Sequence, residues 1–342
     1  MTGDSAKAVW FTAPRTVELR DEAFRAAGPG ELQVEAIASA ISQGTEMLVY
    51  RGQVPPGTTL DLPSVAGGFE FPIKYGYASL GRVVAVGPES GPFQPGDLVF
   101  ALHPHQTAYV LPASLAWRLP VGLPAERALL AANLETALNC LLDQPVRVGE
   151  WVLVFGQGVV GLLVGLLARR NGARRLIVVE EYERRRALAL QLGADEAWPP
   201  GPDLAARVRG ATDGRGADLV FEASGNPAAL QMAIDSVAPN GTVLVASWYG
   251  TKPVSLDLGG HFHRGRIRVR SSQVGQLDPS LLPRWDRQRR AAEVLSLLSE
   301  LPLGGLVSHR IPFRQAADAY RLIDEHPEQT VQVALTYGLG EG

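Results

Sequence analysis

Residues 151–171, WVLVFGQGVVGLLVGLLARRN, constrain the fold more than any other part of the chain. An apolar run of strand length, 151–155, meets a glycine turn. The helix pattern that follows is apolar nearly all the way round until Arg169 and Arg170, and Asn171-Gly172 stop it. Gly156, Gly158 and Gly161 stand at the spacing G-x-G-x-x-G, and each has a physical task. The first makes a tight turn, the second lets backbone approach a pyrophosphate, and the third lets helix and strand pack closely. The helix N-terminus, at Val159 and Val160, then offers N–H groups and a positive dipole end to phosphate.

The glycine spacing alone is weak, because 37 of the 342 residues are glycine and chance matches occur. Its context strengthens it. The next apolar run, 175–179, ends at Glu180, 19 residues beyond Gly161, and a helical pattern follows up to Leu192-Gly193. A carboxylate at the tip of a second strand grips the two ribose hydroxyls of NAD and repels the 2′-phosphate of NADP. The expected cofactor is therefore NAD(H), held by Gly156, Gly158, Val159, Val160, Gly161, Glu180, Arg185, Ser224 and Ser247. Arg184 or Arg185 could swing in to offset the repulsion.

A chain of this length with 46% hydrophobic residues can fill about two cores. The net charge of −3 supplies no basic field for nucleic acid or an anionic membrane, so neither is an expected partner. The N-terminus, MTGDSAKAVWF, lacks the basic and apolar regions of a signal peptide, and no apolar run is long enough to span a bilayer. A cytoplasmic location is expected. The one cysteine, Cys140, lies in an apolar helical pattern and reads as a buried thiol, so no disulfide framework is possible.

Residues 7–120 alternate short β-rich runs with Gly and Pro turns, as in an irregular antiparallel β domain. A helix is expected over 125–143. Strands at 151–155, 175–179, 218–222, 242–247 and 267–272 then alternate with helices, the rhythm of a doubly wound parallel sheet, which the last of them is expected to complete at six although only five are named by their apolar runs. Helices at 287–299 and 314–325 and a strand at 331–337 form a tail too small to be a domain, which should return to the β domain. The expected division is 1–130 and 279–342 for a discontinuous β-rich domain, and 131–278 for the cofactor domain.

Several segments resemble the medium-chain dehydrogenase/reductases, the family of zinc alcohol dehydrogenases and quinone reductases: SQGTE at 42–46, GRVVAVG at 81–87, PGDLVF at 95–100, FGQGVVG, TDGRGADLVFEASG at 212–225, NGTVLVAS at 240–247 and the closing IPFRQAADAYRLID. The resemblance implies an α/β protein in which a GroES-like catalytic domain joins a Rossmann domain, with hydride transfer in the cleft between them. It also implies a homodimer paired through the strand edge around 267–273. In the N-terminal half, GTE, MLVYRG and Gly76-Tyr77 are similar to bacteriochlorophyllide hydroxyethyl dehydrogenases.

Departures from the zinc members are as informative. Gln43 stands where those have a cysteine, and Gly76-Tyr77-Ala78 where they have Gly-His-Glu. The third ligand position falls near Ala132, with Glu135 the only ligating side chain close by, and the four-cysteine lobe is absent. Three good donors are needed, so no metal is expected. The pairs His103/His105 and His261/His263 lack an evident third ligand and read as a solvated loop and a surface turn, although an imidazole at 105 could contact substrate. Residues 262–290 hold eight arginines against Asp278 and Asp286, either as part strand and part solvated helix start or as an anion-binding patch.

The reading is a zinc-independent oxidoreductase passing a hydride between NAD(H) and a small secondary alcohol or ketone, with Thr45, Glu46, Tyr77, Gln43 and His105 as the catalytic set. Thr45 takes the place of the family's relay hydroxyl, while Leu48 replaces the basic residue that follows it. Glu46 is expected to hydrogen-bond Tyr77, unless that ring points into the core. The alternatives are an NADPH-dependent enone or quinone reductase, which Glu180 disfavours, and a non-catalytic NAD-binding protein, which the Thr45-Glu46 pair disfavours.

Overall fold

The computed structural model describes residues 5–60, 62, 64 and 67–338. The chain divides into two compact units, one of residues 1–132 with 291–342 and one of residues 133–290.

The first unit opens with β1 (Ser5–Ala13) and β2 (Thr16–Ala23), an antiparallel pair. In β3 (Glu31–Ile41) alternate residues are buried over most of its length, as expected of a strand with one face on a core. Then come α1 (Thr45–Tyr50), β4 (Ile73–Lys74), β5 (Ser79–Val86), β6 (Leu98–Ala101), β7 (Ala108–Pro112), β8 (Ala116–Arg118) and the short α2 (Ala125–Ala128). The single helix expected over 125–143 is broken: α3 (Ala131–Asp143) starts after a turn in which Leu130 N–H bonds the Arg127 carbonyl. Leu129, Leu130 and Ala131 on either side of the break are all buried.

In the second unit β9 (Trp151–Phe155), α4 (Val159–Arg170), β10 (Arg175–Val179), α5 (Glu183–Gln191), β11 (Glu196–Trp198), α6 (Leu204–Ala211), β12 (Ala217–Glu222), α7 (Pro227–Ser236), β13 (Val237–Val245) and β14 (Arg268–Ser271) follow in order. Their sheet runs β11-β10-β9-β12-β13-β14, all parallel, so the order reverses beside β9. That is the six-stranded doubly wound order, whose ligands bind beyond the carboxyl ends of the strands at the reversal. Val152 to Phe155 are buried without alternation because helices cover both faces. Cys140 is buried, and burial pushes its thiol up to about 12.

The unit boundary falls at Arg290, twelve residues beyond the 278 read from sequence, because the start of α8 (Arg287–Glu300) is tied to α3 by buried bonds from Arg290. β15 (Val307–Pro312), α9 (Ala316–Glu325) and β16 (Gln332–Thr336) belong to the first unit. There β16 pairs with β3 in the sheet β15-β16-β3-β5-β6-β8, while β7 also pairs with β3. Apolar residues of α9 (Ala319, Tyr320, Ile323) pack with Phe11, Ile41, Met47 and Tyr50. Among the described residues no helix is long and apolar enough to cross a membrane.

Candidate functional site

In the second unit the three glycines do what their spacing requires. Gly156 has φ +80°, and a Cβ there would lie 2.6 Å from the Ser224 Cα. Gly158 precedes α4 in an extended conformation, and a Cβ there would meet nothing within 4 Å. A Cβ on Gly161 would lie 1.9 Å from the Gly156 carbonyl oxygen, so helix and turn touch backbone to backbone. No side chain caps α4, leaving its first N–H groups to a ligand or solvent.

Glu180 is buried at the end of β10. One carboxylate oxygen accepts the Gln157 N–H at 2.6 Å and the other the Tyr182 N–H at 3.0 Å. The acid is thus built into the glycine turn, and a carboxylate with two bonds still has lone pairs for a diol. Arg185 is buried with its guanidinium 5.1 Å from the centre of the Tyr182 ring. Ser224 bonds the Glu222 carboxylate through its N–H at 2.7 Å and through its hydroxyl. Ser247 accepts the Gly225 N–H at 2.8 Å.

Sequence reading missed Glu222, Tyr249 and Lys252. Glu222 is fully buried at the end of β12, where Tyr249 donates to it at 2.7 Å, and Lys252 bonds the Gly225 carbonyl at 2.8 Å. Burial, then the Glu222 charge, raises the Tyr249 phenol far above its ordinary range. The acid closing ADLVFE was the available signal.

In the first unit the centre is Glu46, in the first turn of α1 and fully buried. Its Oε1 accepts the Ser42 N–H at 2.9 Å. Its Oε2 faces His105 Nε2 at 2.9 Å and accepts the Tyr320 hydroxyl at 2.8 Å. The Glu46–Tyr77 bond expected from the sequence therefore gives way to one with His105. The half-buried Tyr77 is hydrogen-bonded through its phenol oxygen to the Ser42 and Thr45 side chains. Burial foremost, and then the Glu46 charge, push the Tyr77 phenol up to about 12, with Ser42 and Thr45 pulling the other way. Gln43 donates its amide to Thr330 Oγ1 at 2.9 Å.

The histidine loop is not solvated, as the sequence suggested. His105 has no exposed surface with which to contact substrate, and both ring nitrogens are bonded, Nδ1 to Ser39 Oγ at 2.7 Å. His103 is buried, stacks on Tyr109 with centroids 3.7 Å apart, and bonds the Pro104 carbonyl; burial lowers it to about 3. His261 bonds the Val237 carbonyl at 2.8 Å and His263 is exposed.

The donors at the family's zinc positions do not fit a metal. Gln43 and Tyr77 are bonded as described, and Glu135 is buried in an ion pair with Arg290, at 2.8 Å and 3.0 Å. Among the described residues no group of three His, Cys, Asp or Glu could hold a metal ion. Much of the arginine-rich segment is structural. Arg268 bonds Asn240 and Thr242, Arg270 bonds Asp143 and Asp278, and Arg290 bonds Glu135 and Asn139.

A six-stranded Rossmann unit carrying a glycine turn, alongside a GroES-like β unit, defines a zinc-type alcohol dehydrogenase architecture. Residues 159–297 match the zinc-binding dehydrogenase family. L-threonine 3-dehydrogenase of Pyrococcus abyssi is 31% identical over 261 residues, 67% of this chain and 72% of that protein. The 2-desacetyl-2-hydroxyethyl bacteriochlorophyllide A dehydrogenase of Cereibacter sphaeroides is 28% identical over 94% of this chain and 95% of its own length, so that likeness extends well beyond the N-terminal half. An Escherichia coli oxidoreductase/dehydrogenase of unknown specificity involved in membrane biogenesis has the same fold, with TM-score 0.82 at 18% identity over 98% of this chain and 99% of that one. The chain belongs to the medium-chain dehydrogenase/reductase family and is an oxidoreductase.

Proposed function

We propose that this oxidoreductase works without zinc and passes a hydride between NAD(H) and a secondary alcohol or ketone. The observation that carries the cofactor reading is the buried Glu180 carboxylate bonded to the glycine turn at 2.6 Å. A dinucleotide fits this cradle. The open side of Gly158 gives room for a pyrophosphate, and the uncapped N–H groups of Val159 and Val160 point to its charge. Glu180 accepts the ribose hydroxyls and repels a 2′-phosphate, with Arg185, Ser224 and Ser247 completing the site. When bound there, the nicotinamide supplies the hydride acceptor or donor.

The oxygen of the substrate must be served by protein donors where no Lewis acid is held. Tyr77 and Thr45 are bonded to one another and are the donors in this reading, with Gln43 beside them in sequence. A phenol raised to about 12 stays protonated at neutral pH, so it gives a hydrogen bond to a carbonyl and is a poor base. Leu48 supplies no proton exit. Both features favour reduction.

Glu180 weighs against an NADPH-dependent enone or quinone reductase, and the Thr45–Tyr77 pair against a non-catalytic NAD-binding protein. We also propose a homodimer joined at β14, which within its sheet pairs only with β13 among the described residues. The test is a panel of alcohols and ketones followed by nicotinamide absorbance, with metal content measured on the same protein. Expected are turnover with NAD(H), well under one zinc per chain, and no effect of a chelator. Stoichiometric zinc lost together with activity would overturn the metal reading, and tighter NADPH binding the cofactor reading.

A further inference from the structure

The hydrogen bonds around Glu46 carry one step more. The carboxylate is fully buried and three donors already converge on it: the Ser42 N–H, His105 Nε2 and the Tyr320 hydroxyl. A buried carboxylate takes whatever donors it can reach, because a buried polar group left short of partners is costly. Four phenols feel its charge, those of Tyr75, Tyr77, Tyr320 and Tyr337. Tyr320 is bonded to it; Tyr77 feels its charge, yet has its phenol oxygen bonded to Ser42 and Thr45.

The imidazole shares one Glu46 oxygen with the Tyr320 hydroxyl. His105 is anchored by the Val9 N–H on its carbonyl at 2.9 Å. Its ring lies against Gly76, where a Cβ would come within 2.7 Å of Cδ2 and 2.8 Å of Nε2. Gly76 also has φ +134°, so glycine at 76 admits the ring on both steric and conformational grounds. Behind the ring, Nδ1 meets Ser39 Oγ, and Ser39 meets the Tyr337 hydroxyl at 2.8 Å. With Nε2–H donating to Glu46, the Ser39 hydroxyl donates to Nδ1 and Tyr337 donates to Ser39.

We propose that His105 is a positioning residue: by engaging Glu46 it leaves the Tyr77 phenol with Ser42 and Thr45 instead of on the carboxylate, and so keeps the Tyr77 O–H available to the reacting oxygen. The catalytic half of this inference rests on the oxidoreductase reading above. The exchange of partners does not.

The two halves are tested separately on the full chain. Without substrate, ring-labelled tyrosine NMR follows Tyr77, assigned through Tyr77→Phe, in an alkaline titration. His105→Phe removes the donor to Glu46, whereas His105→Gln can still supply one. The phenol should then be recaptured by the carboxylate in His105→Phe, moving its midpoint by roughly one unit or more, and stay near the parent value in His105→Gln. If His105→Phe does not fold, Tyr320→Phe takes away another donor of the same carboxylate and should move Tyr77 in the same sense. An unmoved Tyr77 in the variant that folds would overturn the exchange.

With a turned-over ketone, His105→Phe should lower kcat about 10²-fold while KM and NADH affinity stay within about threefold, and His105→Gln should recover most of the loss. Unchanged kcat, or equal losses in both variants, would overturn the catalytic half. A parent protein that turns over no alcohol or ketone would sink the proposed alcohol or ketone reading and that half with it, while the titration still decides the exchange.

Discussion

The glycine turn of the second unit and the Glu46 network of the first are both buried polar arrangements, but they are assembled in opposite ways. The turn and its acid lie within one stretch of chain, from Gly156 to Glu180, and are held by backbone: the Glu180 carboxylate accepts N–H groups from Gln157 and Tyr182. The Glu46 network draws on Ser39, His105, Tyr320 and Tyr337, with partners as many as 298 residues apart, and apart from the Ser42 N–H its bonds are between side chains. A backbone-built site repeats its spacing wherever it occurs, so it can be read from a sequence. A side-chain network depends on which of several donors reaches the acceptor first.

The sharpest way to break the contrast is at the glycines. Gly161→Ala places a Cβ 1.9 Å from backbone oxygen that cannot swing aside, and should cost about 3 kcal/mol or more in stability. Gly158→Ala meets nothing within 4 Å and should change stability by less than about 1 kcal/mol, yet weaken NADH binding by putting a methyl group on the phosphate side. Thermal unfolding and cofactor titration separate the two. Equal destabilisation by both would mean that the turn is not built as described.

In the other region Gly76→Ala should cost roughly 2 kcal/mol, since it combines a φ of +134° with a Cβ 2.7 Å from a ring packed on all sides. Urea unfolding measures it, and a neutral result would show that His105 has room to move. Glu180→Ala should narrow the preference for NADH over NADPH by about tenfold or more, on the order of 1.4 kcal/mol, because repulsion of the 2′-phosphate disappears. An unaltered ratio of dissociation constants would place the discrimination elsewhere.

The legible part of the molecule was the part set by local spacing. Five of the six parallel strands follow from apolar runs and turns, and the glycines from their interval; β11, three residues long, offers no such run. The break at Leu129–Leu130 was hidden because continuous apolar residues suit one long buried helix as well as two short ones. Tyr77 was expected on Glu46 because the residue at that position usually is the partner. The sequence contains His105, but not the fact that the loop before β7 brings its ring against Gly76. Tyr320 sits in an apolar helical pattern and reads as core; its hydroxyl on Glu46 leaves no trace in the spacing. Glu135, the one acid near the third ligand position, could be read as a ligand until Arg290 was seen to occupy it.

The smallest effect concerns acid stability. His103 is held neutral down to about 3, against an ordinary imidazole value of about 6.5. Between those values the unfolded chain binds a proton that the folded chain does not, so His103 makes stability fall as the pH drops through that window and has no such effect above it. His103→Gln should flatten this slope in unfolding experiments between about pH 6 and 4. An unchanged slope would mean that the ring is hydrated.

What most directly tests the claim that a phenol donor serves the reacting oxygen is turnover of Tyr77→Phe. The substitution keeps the ring and removes only the hydroxyl bonded to Ser42 and Thr45. Ketone reduction should fall by about 10²-fold or more with NADH affinity intact. Turnover equal to the parent's would contradict the claim and leave Thr45 and Gln43 as the donors to examine.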